Sequence, residues 1–353
     1  MKDIATNPKV REAIVWQADH AVNNLAPITA RVVRAQLALL AGSTQVGRRL
    51  AAWPDSVMQD AMPLRLTGGL HHLFLTGQDS RLASIFTGAQ VDQGAVDAIV
   101  AQVVADHDAT LLPWLDGPPQ TNEAGRSACV MAALLWLSAR LGPRFELNEL
   151  GASAGINTML DRFYFDLGGT IAGPADSPLR VVPEWRGPPP PQAPVQIVAI
   201  AGCDRAPIDL ADPDQAQRLK GYIWADMPER QVRLDAAIAL ARQQPPRLDH
   251  ADAGAWIAAR LAAPQDAGVT RVVFHSIVWQ YLPEETRAAI TAAIEAAGAQ
   301  ASAMRPLAWV QLETNRTTFR HELRVRYWPG GGEEVVLGTA HAHGAWVEWF
   351  GIA

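Results

Sequence analysis

An α/β fold in two domains is what this sequence predicts, and three observations carry that reading. Up to about Leu141 the apolar residues recur with helical spacing wherever a period is clear; from Phe145 onward short apolar runs alternate with polar turns and helical stretches. After Leu307, three strand-like runs follow one another across gaps too short for a helix. The chain has 353 residues, enough for about two domains. With 49% hydrophobic and 19% charged residues it sustains a packed interior, which excludes a disordered chain.

The first domain, residues 1–143, is read as all-helical. Val96, Ile99, Val100 and Val103 form one stripe, and Val130, Leu134, Leu137 and Leu141 another. Pro27 opens a further helix, with Ile28, Val32 and Leu39 on one face and Val33, Leu37 and Leu40 beside it, and Gly42 ends it. In the second domain, residues 144–353, Phe145 to Leu150 forms a strand that feeds Gly151-Ala-Ser153-Ala-Gly155 and then a helical stretch through Arg162. Phe163 to Pro194 is an insertion, looped out, that ends in the proline-rich connector Gly187 to Pro194. Val195 to Ala201 is a second strand, followed by a turn with Asp204 and Asp209 and by helices from Pro213 to Arg242. A third strand lies around Arg247 and Leu248, and a fourth at Arg271 to His275. Pro283-Glu284-Glu285 then starts a helix that ends near Gly298. Repeated strand, crossover, strand order makes the sheet mainly parallel and Rossmann-like. Leu307–Leu312, Glu322–Tyr327 and Val335–Thr339 add antiparallel hairpins at one edge.

Thirty Lys and Arg against 36 Asp and Glu give a net charge of −6, so no bulk field draws the molecule to nucleic acid or to an anionic membrane. Cys129 and Cys203 lie far apart in apolar stretches, which fits buried thiols in a reducing compartment and no disulfide framework. Met1 to Asp19 carries charges throughout and offers no secretory core. The longest apolar run, near Ala128 to Leu137, is too short to span a bilayer. The expected location is the cytoplasm.

The chemistry centres on Glu149-Leu-Gly151-Ala-Ser153-Ala-Gly155, at the carboxyl end of the first parallel strand, where an α/β sheet binds its ligand. A dinucleotide fingerprint wants Gly-x-Gly-x-x-Gly, and Ser153 and Ala154 spoil that spacing. An S-adenosylmethionine loop wants an acidic residue facing the ligand's ammonium group and small residues making room for its aminoacyl end; Glu149, Gly151, Ser153, Gly155 and Asn157 fit. A nucleophile elbow, Gly-x-Ser-x-Gly, is also satisfied, with Ser153 as the nucleophile and His275, His341 or His343 as base. The helical character before Phe145 favours the second reading, because a serine hydrolase needs strands and an oxyanion segment upstream, and Gly68-Gly69-Leu-His71 falls within the helical region. A module that binds the cofactor without turnover is the third possibility.

In that frame Asp204 is placed for the ribose hydroxyls, since an ionised carboxylate accepts two donors, and Asp252 for the adenine amino group. His275, at the end of the fourth strand, is the candidate catalytic residue facing a small-molecule acceptor. Trp279 and Tyr281 would wall a pocket. His341-x-His343 would point both imidazoles to one side of a strand, but two ligands do not make a metal site. Glu229, Arg230 and Arg233 read as a solvated helical face.

Three stretches carry a resemblance: Glu149-Leu-Gly-Ala-Ser-Ala-Gly-Ile-Asn157, the run from Asp204 through Ile223-Trp-Ala-Asp226 to Arg230 and Arg233-Leu234, and Val273-Phe-His-Ser-Ile-Val-Trp-Gln-Tyr281-Leu. In them the chain resembles a bacterial family known as domain of unknown function 2332. The resemblance implies a class I methyltransferase-like core and brings no assigned activity with it. The hairpin ending departs from the usual order of that core, in which a helix separates the fifth and sixth strands.

Overall fold

The structure, a computed structural model, describes residues 7–54 and 56–352; the first six residues of the charged Met1–Asp19 stretch lie outside it. The chain forms two compact units, residues 1–121 with 212–232 and residues 122–211 with 233–353. This division differs from the expected one at residue 143 in two places. The helix Ser127–Leu141 belongs with the second unit, and residues 212–232 return to the first. Ser127 to Ser138 is buried without a break, so this helix has no solvent face whose period could show its allegiance.

Within the first unit, no described residue of 1–121 lies in a strand. The helices Pro8–Asn23, Pro27–Leu39, Met62–Leu75 and Gln93–Asp106 contribute Val10, Ile14, Val32, Val33, Leu66, Leu70, Val96 and Val100 to one core. Gly68 and Gly69 sit inside the helix Met62–Leu75, where a Cβ would lie 2.6 Å from the Tyr222 ring and 2.9 Å from Leu111 and Trp114. They are packing glycines. Pro27–Leu39 has no cap of its own, and Asp226 supplies one: its Oδ1 accepts from Ile28 N (2.8 Å) and its Oδ2 from Thr29 N (2.9 Å) and Thr29 Oγ1 (2.7 Å).

The second unit carries the strands β1 (Arg144–Leu150), β2 (Tyr164–Leu167), β3 (Thr170–Ala172), β4 (Arg180–Val181), β5 (Glu184–Arg186), β6 (Gln196–Asp204), β7 (Leu248–His250), β8 (Thr270–Ser276), β9 (Leu307–Thr314), β10 (His321–Trp328), β11 (Val335–Ala340) and β12 (Trp346–Trp349). Among the described residues a nine-stranded sheet runs in the order β5-β12-β11-β10-β9-β8-β1-β6-β7. β7, β6, β1, β8 and β9 are mutually parallel, β9 through β12 pair antiparallel as the short gaps predicted, and β5 closes the far edge parallel to β12. The fold is mixed α/β with a large, mostly parallel sheet. One buried cluster on it joins Leu150, Cys203, Val273, Ile257, Ile290, Ile294 and Trp309.

The expected helical stretch through Arg162 is a six-residue 3-10 helix, Asn157–Arg162. Residues 163–194 are not looped out: β3-β2-β4 make a small second sheet, with Phe163, Phe165 and Leu167 fully buried, and β5 joins the large one. No helix among the described residues is long and apolar enough to cross a membrane.

Candidate functional site

β1 ends in a turn whose Gly151, Ser153 and Gly155 all take positive φ, 67°, 53° and 70°. Glycine adopts that region freely; a serine there must be held. Asp204 holds it. Its Oδ2 accepts from Ser153 N (2.8 Å) and its Oδ1 from Ala206 N (2.8 Å), while Ser153 O accepts from Ile208 N (3.1 Å). The carboxylate expected to grip a ribose thus ties the turn after β6 to the turn after β1.

Inside that turn Glu149 is 2% exposed, and its Oε2 has no hydrogen-bond partner. Burial pushes its carboxyl up to about 8, and the neighbouring Asp204 adds to the rise, against the opposing effects of the Asn157 side chain and the Arg126 charge. Asn157 is equally buried: its Oδ1 accepts from Ser127 Oγ (2.7 Å), whereas its Nδ2 lies beside the Glu149 carboxyl without a hydrogen bond of good geometry. Ser153 Oγ is buried without a partner as well. Three polar atoms around one turn therefore go unsatisfied, a pattern that native interiors rarely leave without a ligand or water. Because Ser153 Oγ has no partner, no imidazole is hydrogen-bonded to it as a nucleophile elbow would require.

The outer glycines make room for packing. A Cβ on Gly151 would lie 2.3 Å from Val278 Cγ2, and one on Gly155 2.8 Å from Pro246 Cγ. Val278 belongs to the turn after β8, in which Ile277 stands at φ 52°. Glu313 at the end of β9 fastens this turn: Oε1 accepts from Val278 N (3.0 Å), Trp279 N (3.3 Å) and His275 Nδ1 (2.7 Å). The indole of Trp309 can only donate, so its 3.1 Å bond to His275 Nε2 makes that nitrogen the acceptor and leaves the proton on Nδ1 for Glu313. The buried His275 also stacks on Trp279, rings 4.9 Å apart. Both its nitrogens are engaged, so it orders the turn and has no free atom to offer an acceptor.

The other expected residues separate. Asp252 caps the helix Ala253–Ala262, accepting from Gly254 N (3.0 Å) and Ala255 N (3.2 Å). His341 and His343 lie in the turn between β11 and β12 and not along a strand; Gly344, at φ 71°, packs its backbone on Gly125 and breaks the extended run. Their rings are 5.4 Å apart. Among the described residues no group of three or more His, Cys, Asp or Glu is arranged to hold a metal ion. Of the expected solvated face Glu229 is exposed, but Arg230 is buried and the half-buried Arg233 pairs with the buried Glu123 at 3.1 Å.

Sequence reasoning missed Arg126, Val278 and Glu313. Arg126 is buried at the start of a helix, donating from Nε to Ala342 O (2.8 Å) and from Nη1 to Ser276 O (3.3 Å). The available signal was an ionisable residue bordering a long apolar run, at Arg126 and again at Glu313.

Fold and site together define a mixed α/β protein with an unsatisfied acidic turn at the carboxyl edge of its central parallel strand. Residues 11–349 match the family described as uncharacterized protein conserved in bacteria (DUF2332), and the chain belongs to that family. No curated protein and no solved structure matches it.

Proposed function

We propose that the second unit has a Rossmann-like, class I methyltransferase-type core that binds S-adenosylmethionine at the β1 turn, and that the protein is a methyltransferase acting on a small molecule. The observation that carries this reading is the unsatisfied set at the turn: Glu149 Oε2, Asn157 Nδ2 and Ser153 Oγ, all buried. An α-amino acid end complements that set, its ammonium group facing the Glu149 carboxylate and its carboxylate accepting from Asn157 Nδ2. The strand order β7-β6-β1-β8-β9 supports it too. In chain order these parallel strands run 3-2-1-4-5, the arrangement that opens a ligand crevice where the order reverses, here between β1 and β8.

The residues divide the work as follows. Glu149 and Asn157 hold the aminoacyl end, and Asp204 acts by fixing Ser153 in its left-handed conformation. His275 sets the wall of the crevice through Glu313. When bound, the cofactor supplies an electrophilic methyl group, and the chain's contribution is to align an acceptor with it. The free, buried thiols of Cys129 and Cys203 fit a cytoplasmic setting. Isothermal titration tests the proposal: the reading requires a submillimolar signal for S-adenosylmethionine that weakens about tenfold or more in Glu149→Gln. Silence from folded wild-type protein overturns it.

A further inference from the structure

Ser276–Trp279, the segment over the Gly151 turn, combines strain with an unusual number of restraints. Ile277 is β-branched, and its φ of 52° is a conformation such a residue avoids unless its surroundings impose it. Those surroundings come from several directions. Ile277 N donates to Leu312 O (2.9 Å), Arg126 holds Ser276 O, and Glu313 gathers the Val278 and Trp279 amides together with His275 on one oxygen. The result is Val278 Cγ2 seated 2.3 Å from where a Gly151 side chain would begin. A turn that needed only to connect β8 to the next helix would not require this arrangement. A strained residue that its surroundings over-determine in this way marks a functional segment.

We infer that Val278 is the specificity-determining residue of the Glu149 site, a plug that a ligand must displace, and that Glu313 is the positioning residue that latches it. The inference rests on the Glu149 turn being a ligand site, as proposed above. Shortening the plug should admit ligand more easily, and lengthening it should exclude ligand. Releasing the latch should free the turn whether or not any ligand is present.

Two measurements on the full chain decide it. Titration with S-adenosylmethionine and S-adenosylhomocysteine should show binding about fivefold tighter in Val278→Ala and about tenfold weaker in Val278→Leu. Without ligand, hydrogen exchange of residues 276–281 should be slow in the wild type, faster by about tenfold or more in Glu313→Ala, and partly restored in Glu313→Gln, which keeps a carbonyl acceptor. Should Glu313→Ala fail to fold, Trp309→Phe removes the indole donor to His275 together with one ring of its packing, and should accelerate the same amides.

Wild-type binding that shifts less than about twofold in both Val278 variants overturns the plug. Unchanged exchange in Glu313→Ala, or in Trp309→Phe where that substitute is used, overturns the latch. Absence of any binding by wild type, with the latch behaving as described, removes the ligand reading and the plug with it.

Discussion

Glu146 and Arg271 face each other in direct register across the parallel strands β1 and β8, with Arg271 Nε 3.1 Å from Glu146 Oε2. Arg271 is 3% exposed and also donates to the carbonyls of Leu261, Ala263 and Pro264, closing the end of the helix Ala253–Ala262. Arg260 reaches the other Glu146 oxygen (3.1 Å) and Asn148 Oδ1 (2.7 Å). One partly exposed carboxylate therefore answers two guanidinium groups, the buried one of Arg271 and the partly exposed one of Arg260. Glu146→Ala should cost about 3–5 kcal/mol in urea unfolding, because it leaves buried positive charge without its counterpart. A loss below about 1 kcal/mol would show the pair to be dispensable.

Asp226 is the shared cap of a helix about two hundred positions earlier in the chain, and its removal should be felt there. Asp226→Ala should destabilise the protein by about 1–2 kcal/mol, and Asp226→Asn by less, since asparagine still offers one acceptor. Thermal unfolding of both variants checks this, and equal losses would argue against a capping role.

Glu149 makes stability depend on pH in a direction opposite to that of an ordinary paired acid. Its folded carboxyl titrates at about 8 against an ordinary 4.5, so between those values the folded chain binds the proton more tightly than the unfolded one. The contribution is fully present below about pH 4.5 and is lost as pH rises to about 8. Wild type should lose stability on the order of a few kcal/mol across that window relative to Glu149→Gln. Parallel curves for the two proteins would contradict the assignment.

The same carboxyl should report on its ligand. An ammonium group favours the ionised form, so binding near pH 7 should release close to one proton per site. Titration in buffers of different ionisation enthalpy would reveal this as a buffer-dependent heat, abolished in Glu149→Gln. Identical heats in all buffers would mean that no cationic group meets Glu149.

Ser153 should be inert as a nucleophile, since its Oγ has no partner and its amide is tied to Asp204. A fluorophosphonate probe should leave the folded protein unlabelled. Labelling lost in Ser153→Ala would restore the hydrolase alternative.

Legibility followed the range of the forces involved. The helical period of Val96, Val100 and Val103, the apolar run of β8 and the short hairpin gaps are local, and they stand in the structure where the sequence predicts them. The alternation of Phe163, Phe165 and Leu167 is equally local, but the long spacing from Gly155 to Asp204 reads as a looped-out insertion and hides it. The allegiance of Ser127–Leu141 and the cap from Asp226 depend on contacts made far along the chain, which no window of sequence displays. At the site, Glu149 and Asn157 stood out because their motif is contiguous. Val278 and Glu313 did not, because only folding lays β8 and β9 beside β1.

Both margins of the large sheet are three-residue strands, β5 and β7, and β5 lies between Pro183 and the prolines at 188–191. Prolines lack the amide proton that a newcomer strand would need, and three residues offer too little ladder to template growth. The proline run that reads as a mere spacer thus doubles as a selvedge, sealing the β5 border against the edge-to-edge adhesion by which flat sheets recruit their own kind.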